Sequence, residues 1–177
     1  MSWQLLAHKI LYLVKLIDNN MLSAESLKRI DHEITKYPAD RKQSAVMSAL
    51  AIVQEEKGWL SNETIEFIAS YLSMPAIAVY EVATFYNMYN LEPVGKYKIT
   101  VCTNLPCALS GSNESAAYLK KRLGIEFNQT TADGRITLKE GECFGACGDA
   151  PVFLVNNKRM CSFMSNEMID KLLEELK

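Results

Sequence analysis

Tyr97-Lys98-Ile99-Thr100-Val101-Cys102-Thr103-Asn104-Leu105-Pro106-Cys107 is where the chain changes its period. Tyr97, Ile99 and Val101 alternate with Lys98 and Thr100, which is strand spacing with one side turned to a core. The strand delivers Cys102 at its end, and Cys107 follows close behind. Gly111-Ser112 then opens a helical pattern carrying Ala116, Leu119 and Leu123, so the segment forms a βα unit.

Downstream, Asp133-Gly134 lies between Thr130-Thr131 and Ile136-Thr137-Leu138, a hairpin signal. Asn156-Asn157, between Val152-Phe153-Leu154-Val155 and Met160-Cys161-Ser162-Phe163, predicts a second hairpin. Ser165 can cap a last helix with Ile169, Leu172, Leu173 and Leu176 inward. A strand–helix start, central hairpins and a closing helix fit a small mixed sheet with helices packed on it, consistent with a thioredoxin-like α/β domain.

Upstream, the punctuation is helical. Ser23 can cap a helix bearing Leu27, Ile30 and Ile34, which Tyr37-Pro38 ends. The next segment runs to Lys57 with Val46, Ala49, Leu50 and Val53 on one face, and Gly58 stops it. Ser61 begins another, with Ile65, Ile68 and Leu72 inward; Pro75 then sits in the first turn of a helix whose stripe is Val79, Val82 and Tyr86. Leu6, Ile10, Leu13, Val14 and Ile17 also fall at helical spacing, and the absence of arginine there favours a bundle helix over a targeting segment. The expected architecture is therefore α+β, with a helical bundle over residues 1–92 and the α/β domain over residues 93–177.

Of the 177 residues, 49% are apolar, enough for one ordinary domain or two small ones without disulfides. A formal net charge of −2 gives no basic footprint for nucleic acid. No apolar run approaches the roughly 20 residues that cross a bilayer, so membrane association would come through a partner. Gly141, Gly145 and Gly148 do not build a dinucleotide-binding turn, and no phosphate-cradling G-x4-G-K-[S/T] occurs. His8 and His32 are the two histidines, both far in sequence from the cysteines, which argues against a mixed histidine–cysteine site. Glu55-Glu56 and Glu174-Glu175 lie on predicted helices and are read as solvated faces, so no catalytic residue is assigned.

The chemistry is in the cysteines. Cys102 and Cys107 form one pair and Cys143 and Cys147 another, with 35 residues between the pairs. Five cysteines is an odd number, and no secretory leader opens the chain, so reduced thiols in a cytosol-like compartment are expected rather than a disulfide framework. Neither pair has the two-residue gap of a redox dithiol. Four thiolates in two local pairs satisfy either a [2Fe–2S] cluster or a structural zinc ion. The small residues of Gly141-Glu142-Cys143-Phe144-Gly145-Ala146-Cys147-Gly148-Asp149-Ala150-Pro151 favour the cluster, since such a loop can curl around a bulky anion and aim N–H groups at its sulfurs. Cys161, on a predicted strand outside both pairs, is taken as a small buried hydrophobe.

Both cysteine segments, from Cys102 to Ser112 and from Glu142 to Pro151, resemble the cluster-binding motifs of thioredoxin-like [2Fe–2S] ferredoxins. More narrowly, the chain resembles the 24 kDa subunit family of respiratory NADH:quinone oxidoreductase, or complex I, also through Gln54-Glu55-Glu56-Lys57-Gly58-Trp59-Leu60 and Tyr80-Glu81-Val82-Ala83-Thr84-Phe85-Tyr86. The resemblance implies that Cys102, Cys107, Cys143 and Cys147 ligate the cluster, one pair to each iron. It implies electron transfer as one subunit of that enzyme, with FMN and NADH on a partner subunit and no substrate site of its own. It also implies further peripheral-arm partners, a docking role for the helical half, and a place on the cytoplasmic side of a membrane-bound complex, the mitochondrial matrix being the lesser option. The small subunit of an NAD-linked hydrogenase or formate dehydrogenase shares both motifs, and a zinc-stapled interaction module is the alternative of another class.

Overall fold

The computed structural model describes residues 21–177. The expected helix over residues 1–17, and His8 with it, lie outside the described residues. The chain forms two compact units, the second being Val94–Lys177 and the first ending at Pro93.

The first unit is helical: α1 Ala24–Ile34, a 3-10 segment Ala39–Ala45, α2 Val46–Lys57, α3 Asn62–Leu72 and α4 Ala76–Phe85. Ser23 and Ser61 each turn a hydroxyl back to accept a backbone N–H, from Ser26 and Thr64, satisfying donors that the helix cannot. Each such cap stabilises by about 1 kcal/mol. Gly58 ends α2 in the left-handed conformation at φ +83°, donating its N–H to Gln54 O at 2.8 Å. Ile30, Leu50, Val53, Leu60, Ile68, Leu72 and Val79 meet in one core.

Two details of this unit depart from the sequence reading. The segment after Pro38 is not one helix, because Arg41 leaves helical angles (φ −123°, ψ 24°) and the α-helix starts only at Val46. Tyr86 does not continue the α4 stripe: the helix ends at Phe85, Tyr86 is extended, and its side chain stays exposed while Ala83 takes the buried position.

The second unit is a five-stranded mixed sheet, in the order β2-β3-β1-β4-β5, with helices packed on it. Its elements are β1 Tyr97–Cys102, α5 Leu105–Leu109, α6 Ser112–Leu123, β2 Gln129–Thr130, β3 Ile136–Gly141, β4 Phe153–Val155, β5 Arg159–Cys161 and α7 Asn166–Glu175. β1 and β3 run parallel, from Tyr97 beside Ile136 to Cys102 beside Gly141; the other pairings are antiparallel. Ile99, Val101, Ile136, Leu138 and Phe153 pack with Leu119 of α6 and with Ile169 and Leu172 of α7. Burying each of these side chains stabilises by roughly 1.5–3 kcal/mol.

Both predicted hairpins form. Asn156 and Asn157 take φ +52° and +57°, the paired left-handed angles that a tight turn between twisted strands requires. β5 stops at Cys161, two residues short of Phe163, because the Phe163 N–H turns away from the ladder to Asp149 O at 2.8 Å. Cys161 is buried within the core, as a small hydrophobe would be, and burial pushes its thiol up from its ordinary pKa.

Candidate metal centre

Each cysteine pair leaves the sheet at the carboxyl end of a parallel strand, the edge at which open α/β sheets characteristically place ligands. Cys102 is the last residue of β1; its N–H bonds to Val152 O at 3.1 Å, and its carbonyl accepts a hydrogen bond from the buried Ser112 hydroxyl. Cys107 sits on α5, a short helix with Pro106 in its first turn. Both thiols are buried, at 1% and 2% exposure. Leu105 and Leu109, on the same short helix, stay exposed.

The second pair leaves from β3. Cys143 follows Gly141 by two residues, and Cys147 starts a 3-10 turn, Cys147–Asp149. Their sulfurs stand 3.8 Å apart, and both residues are exposed. Gly145 holds φ +76° and turns its N–H onto the Cys143 sulfur at 3.3 Å. That is the N–H···S geometry expected of the loop, and the glycine makes it accessible. Gly148 does not share this role: its φ lies outside the left-handed range, and a side-chain carbon there would meet nothing within 4 Å. The crowded glycine is Gly141, where an added Cβ would stand 2.6 Å from Thr100 Cγ2 and 2.8 Å from the Phe144 ring.

The loop's far end is tied to the turn between β5 and α7. Asp149 Oδ2 accepts from the Ser162 hydroxyl at 3.0 Å, and Pro151 O accepts from Met164 N at 3.0 Å. The Ala150–Pro151 peptide bond is cis.

The four sulfurs act on one another electrically. Burial first, then a hydrogen bond and charge from Cys102, then charge on Cys147 and Cys143, push the Cys107 thiol up to about 11. Cys147 is raised in turn by its hydrogen bond with Cys143 and by that residue's charge. Four thiolates so placed require positive charge between them. Among the described residues, no three His, Cys, Asp or Glu side chains gather as a single-ion site needs. Two local pairs of thiols, with the charge of the second pair felt at Cys107, suit a two-iron donor set, in which each iron takes two protein sulfurs. His32 lies on α1 of the helical unit.

Sequence reasoning missed three features of the centre: the helix that carries Cys107, the close approach at Gly141, and the side-chain bonds joining the two cysteine loops. Asn104 before Leu105-Pro106 was a usable helix-start signal. Nothing in spacing alone foretells the other two.

A sheet that presents two cysteine pairs beyond adjacent parallel strand ends suits an iron–sulfur domain. A family model for the thioredoxin-like [2Fe–2S] ferredoxins matches residues 30–177, and the chain belongs to that family. Its cofactor is accordingly a [2Fe–2S] cluster, which decides against the zinc alternative.

The E subunit of the NADH-quinone oxidoreductase of Rickettsia felis is 42% identical over 158 residues, covering 89% of this chain and 94% of that protein. The flavoprotein 2 component of mitochondrial NADH dehydrogenase [ubiquinone] of Dictyostelium discoideum is 36% identical over 154 residues, covering 86% of this chain and 62% of that one. Among solved structures, an NAD+-reducing [NiFe]-hydrogenase in its H2-reduced state superposes over 72% of this chain with a TM-score of 0.61 at 24% identity. This chain spans about a fifth of that hydrogenase chain, 22%, and the likeness is one of fold.

Proposed function

We propose that the chain is the electron-transfer subunit of an NADH:quinone oxidoreductase, with its [2Fe–2S] cluster held by Cys102, Cys107, Cys143 and Cys147. What supports this reading is that both cysteine pairs follow the ends of adjacent parallel strands, in a chain 42% identical over most of its length to the E subunit of an NADH-quinone oxidoreductase. When bound, the cluster supplies one-electron redox chemistry.

The protein's part is to hold and insulate the cluster. Cys102 presents its sulfur from a buried strand end and Cys107 from the short helix that follows, while Cys143 and Cys147 present theirs from an exposed loop beside the Gly145 N–H. That N–H stabilises negative charge on sulfur, and the exposed side gives electrons a short path to a partner. The partner is a flavin- and NADH-binding subunit, because the sequence holds no dinucleotide or flavin motif and a hydride donor needs a one-electron acceptor nearby. The helical unit serves as the docking piece for this and other peripheral-arm subunits. Ile77 and Phe85 of α4, at 64% and 80% exposure, supply apolar surface for it. Among the described residues no helix is long and apolar enough to cross a membrane, which suits a peripheral position on the cytoplasmic side of such a complex.

NADH added anaerobically to the purified, cluster-loaded chain should leave the visible bands unbleached, with bleaching on addition of the flavoprotein partner. Rapid bleaching by NADH in a flavin-free sample would contradict the proposal.

A further inference from the structure

Three hydrogen bonds cross between the segments that carry the two cysteine pairs. Thr103 N bonds to Gly141 O at 3.3 Å, continuing the parallel ladder one step past Cys102. The Thr103 hydroxyl donates to Glu140 Oε1 at 2.7 Å, and Asn104 Nδ2 donates to Glu142 Oε2 at 3.2 Å. Asn104 occupies the N-cap position of α5, where an asparagine ordinarily bonds the first turn of its own helix, yet its side chain makes no cap bond there. It reaches across to the other loop instead.

We propose that Glu140 and Glu142 are positioning residues of the cluster, resting on the reading that the four cysteines ligate it. Each has two separable effects. As an acceptor, each carboxylate grips the residue after Cys102 or the one beyond it, so the pair of grips sets how far apart the two cysteine loops stand. As a charge, each places a negative group beside a centre that becomes more negative on reduction, which holds the reduction potential down. Both glutamates are exposed, so salt screens the charge effect but leaves the spacing effect in place.

The substitutions Glu140→Gln and Glu142→Gln keep an acceptor oxygen and remove the charge. Thr103→Val and Asn104→Ala keep the charges and remove the grips. In the cluster-loaded full chain, redox titration followed by electron paramagnetic resonance should show both Gln variants shifted to more positive potential, and the shift should shrink in high salt. Thr103→Val and Asn104→Ala should lose iron to a chelator several-fold faster than the native chain and show a broadened resonance, with circular dichroism unchanged. Combining Thr103→Val with Glu140→Gln should add little further loss, since the grip is already gone.

Native potentials in both Gln variants at low salt, together with native chelation rates in the Thr103 and Asn104 variants, would overturn the proposal. Failure of the cysteine assignment itself would look different: serine at one of the four cysteines would then leave iron and acid-labile sulfide at native content.

Discussion

The two cysteine pairs leave neighbouring parallel strands at the same sheet edge, yet they are built differently. Cys102 and Cys107 are enclosed by the core, on a strand end and a short helix whose backbone bonds are satisfied by the fold. Cys143 and Cys147 stand on an exposed loop shaped by one left-handed glycine and by ties from Asp149 and Pro151 to the next turn. One pair is therefore held by the core of the domain and the other by an exposed loop. On the proposed ligand set the cost falls on the enclosed half, where burial pushes the Cys107 thiol up to about 11 and a proton would have to leave for metal to bind.

Serine at any of the four cysteines should abolish or severely reduce cluster content, the largest effect expected, while Cys161→Ser should retain it. Iron, acid-labile sulfide and visible absorption measure this. Urea unfolding of the cluster-free proteins then separates the pairs. Cys102→Ser and Cys107→Ser bury a more polar group and should cost about 1–3 kcal/mol. Cys143→Ser and Cys147→Ser, being exposed, should unfold at the native midpoint. Equal destabilisation at all four positions would erase the contrast.

The glycines sharpen the same contrast. Gly141→Val must displace Thr100 or Phe144 and should destabilise by about 1–3 kcal/mol, the usual range for overpacking. Gly145→Val should cost about 1–2 kcal/mol through its left-handed backbone and should also weaken cluster retention by turning an N–H from Cys143. Gly148→Ala should leave both stability and cluster content at native values. Thermal melts and iron analysis of the three variants test the ranking.

Ser112→Ala leaves the Cys102 carbonyl without its hydroxyl donor at a fully buried position and should cost about 1–2 kcal/mol. The cluster should survive, because the ladder still holds Cys102.

The smallest effect lies in the helical unit. Hydrogen bonds from Ser26 and Ser23, with Lys57 beside it, hold the Glu56 carboxyl at about 2. A depressed carboxylate stabilises the fold fully above its ordinary value near 4.5, and that contribution is lost as pH falls toward about 2. Native protein should therefore lose stability across that window, and Glu56→Gln should show a shallower acid limb in denaturant melts at stepped pH. A limb of unchanged slope would mean that these bonds do not persist in solution.

Wherever one physical cause dominates, the structure follows the sequence pattern. Alternation from Tyr97 to Val101 sets β1, Ser23, Ser61 and Ser165 set three helix starts, and the paired asparagines set a hairpin. The pattern fails where a local element answers to something distant. β5 stops early because Asp149 takes the Phe163 N–H, and Asn104 leaves its own helix uncapped to bond Glu142. Gly145 and Gly148 look alike in the sequence, but only Gly145 has the left-handed backbone that a side chain would strain. The four cysteines stand out in the sequence as two local pairs, but spacing left cluster and zinc both open, and the family match decides between them.

The central claim is that two thiol pairs hold one two-iron cluster. Chemical analysis and Mössbauer spectroscopy of the iron-57-loaded chain test it most directly. About two iron atoms and two sulfides per chain are expected, in a coupled pair of tetrahedral, sulfur-ligated ferric sites that yields one ferric and one ferrous site on reduction. A single metal ion per chain with no acid-labile sulfide would contradict it.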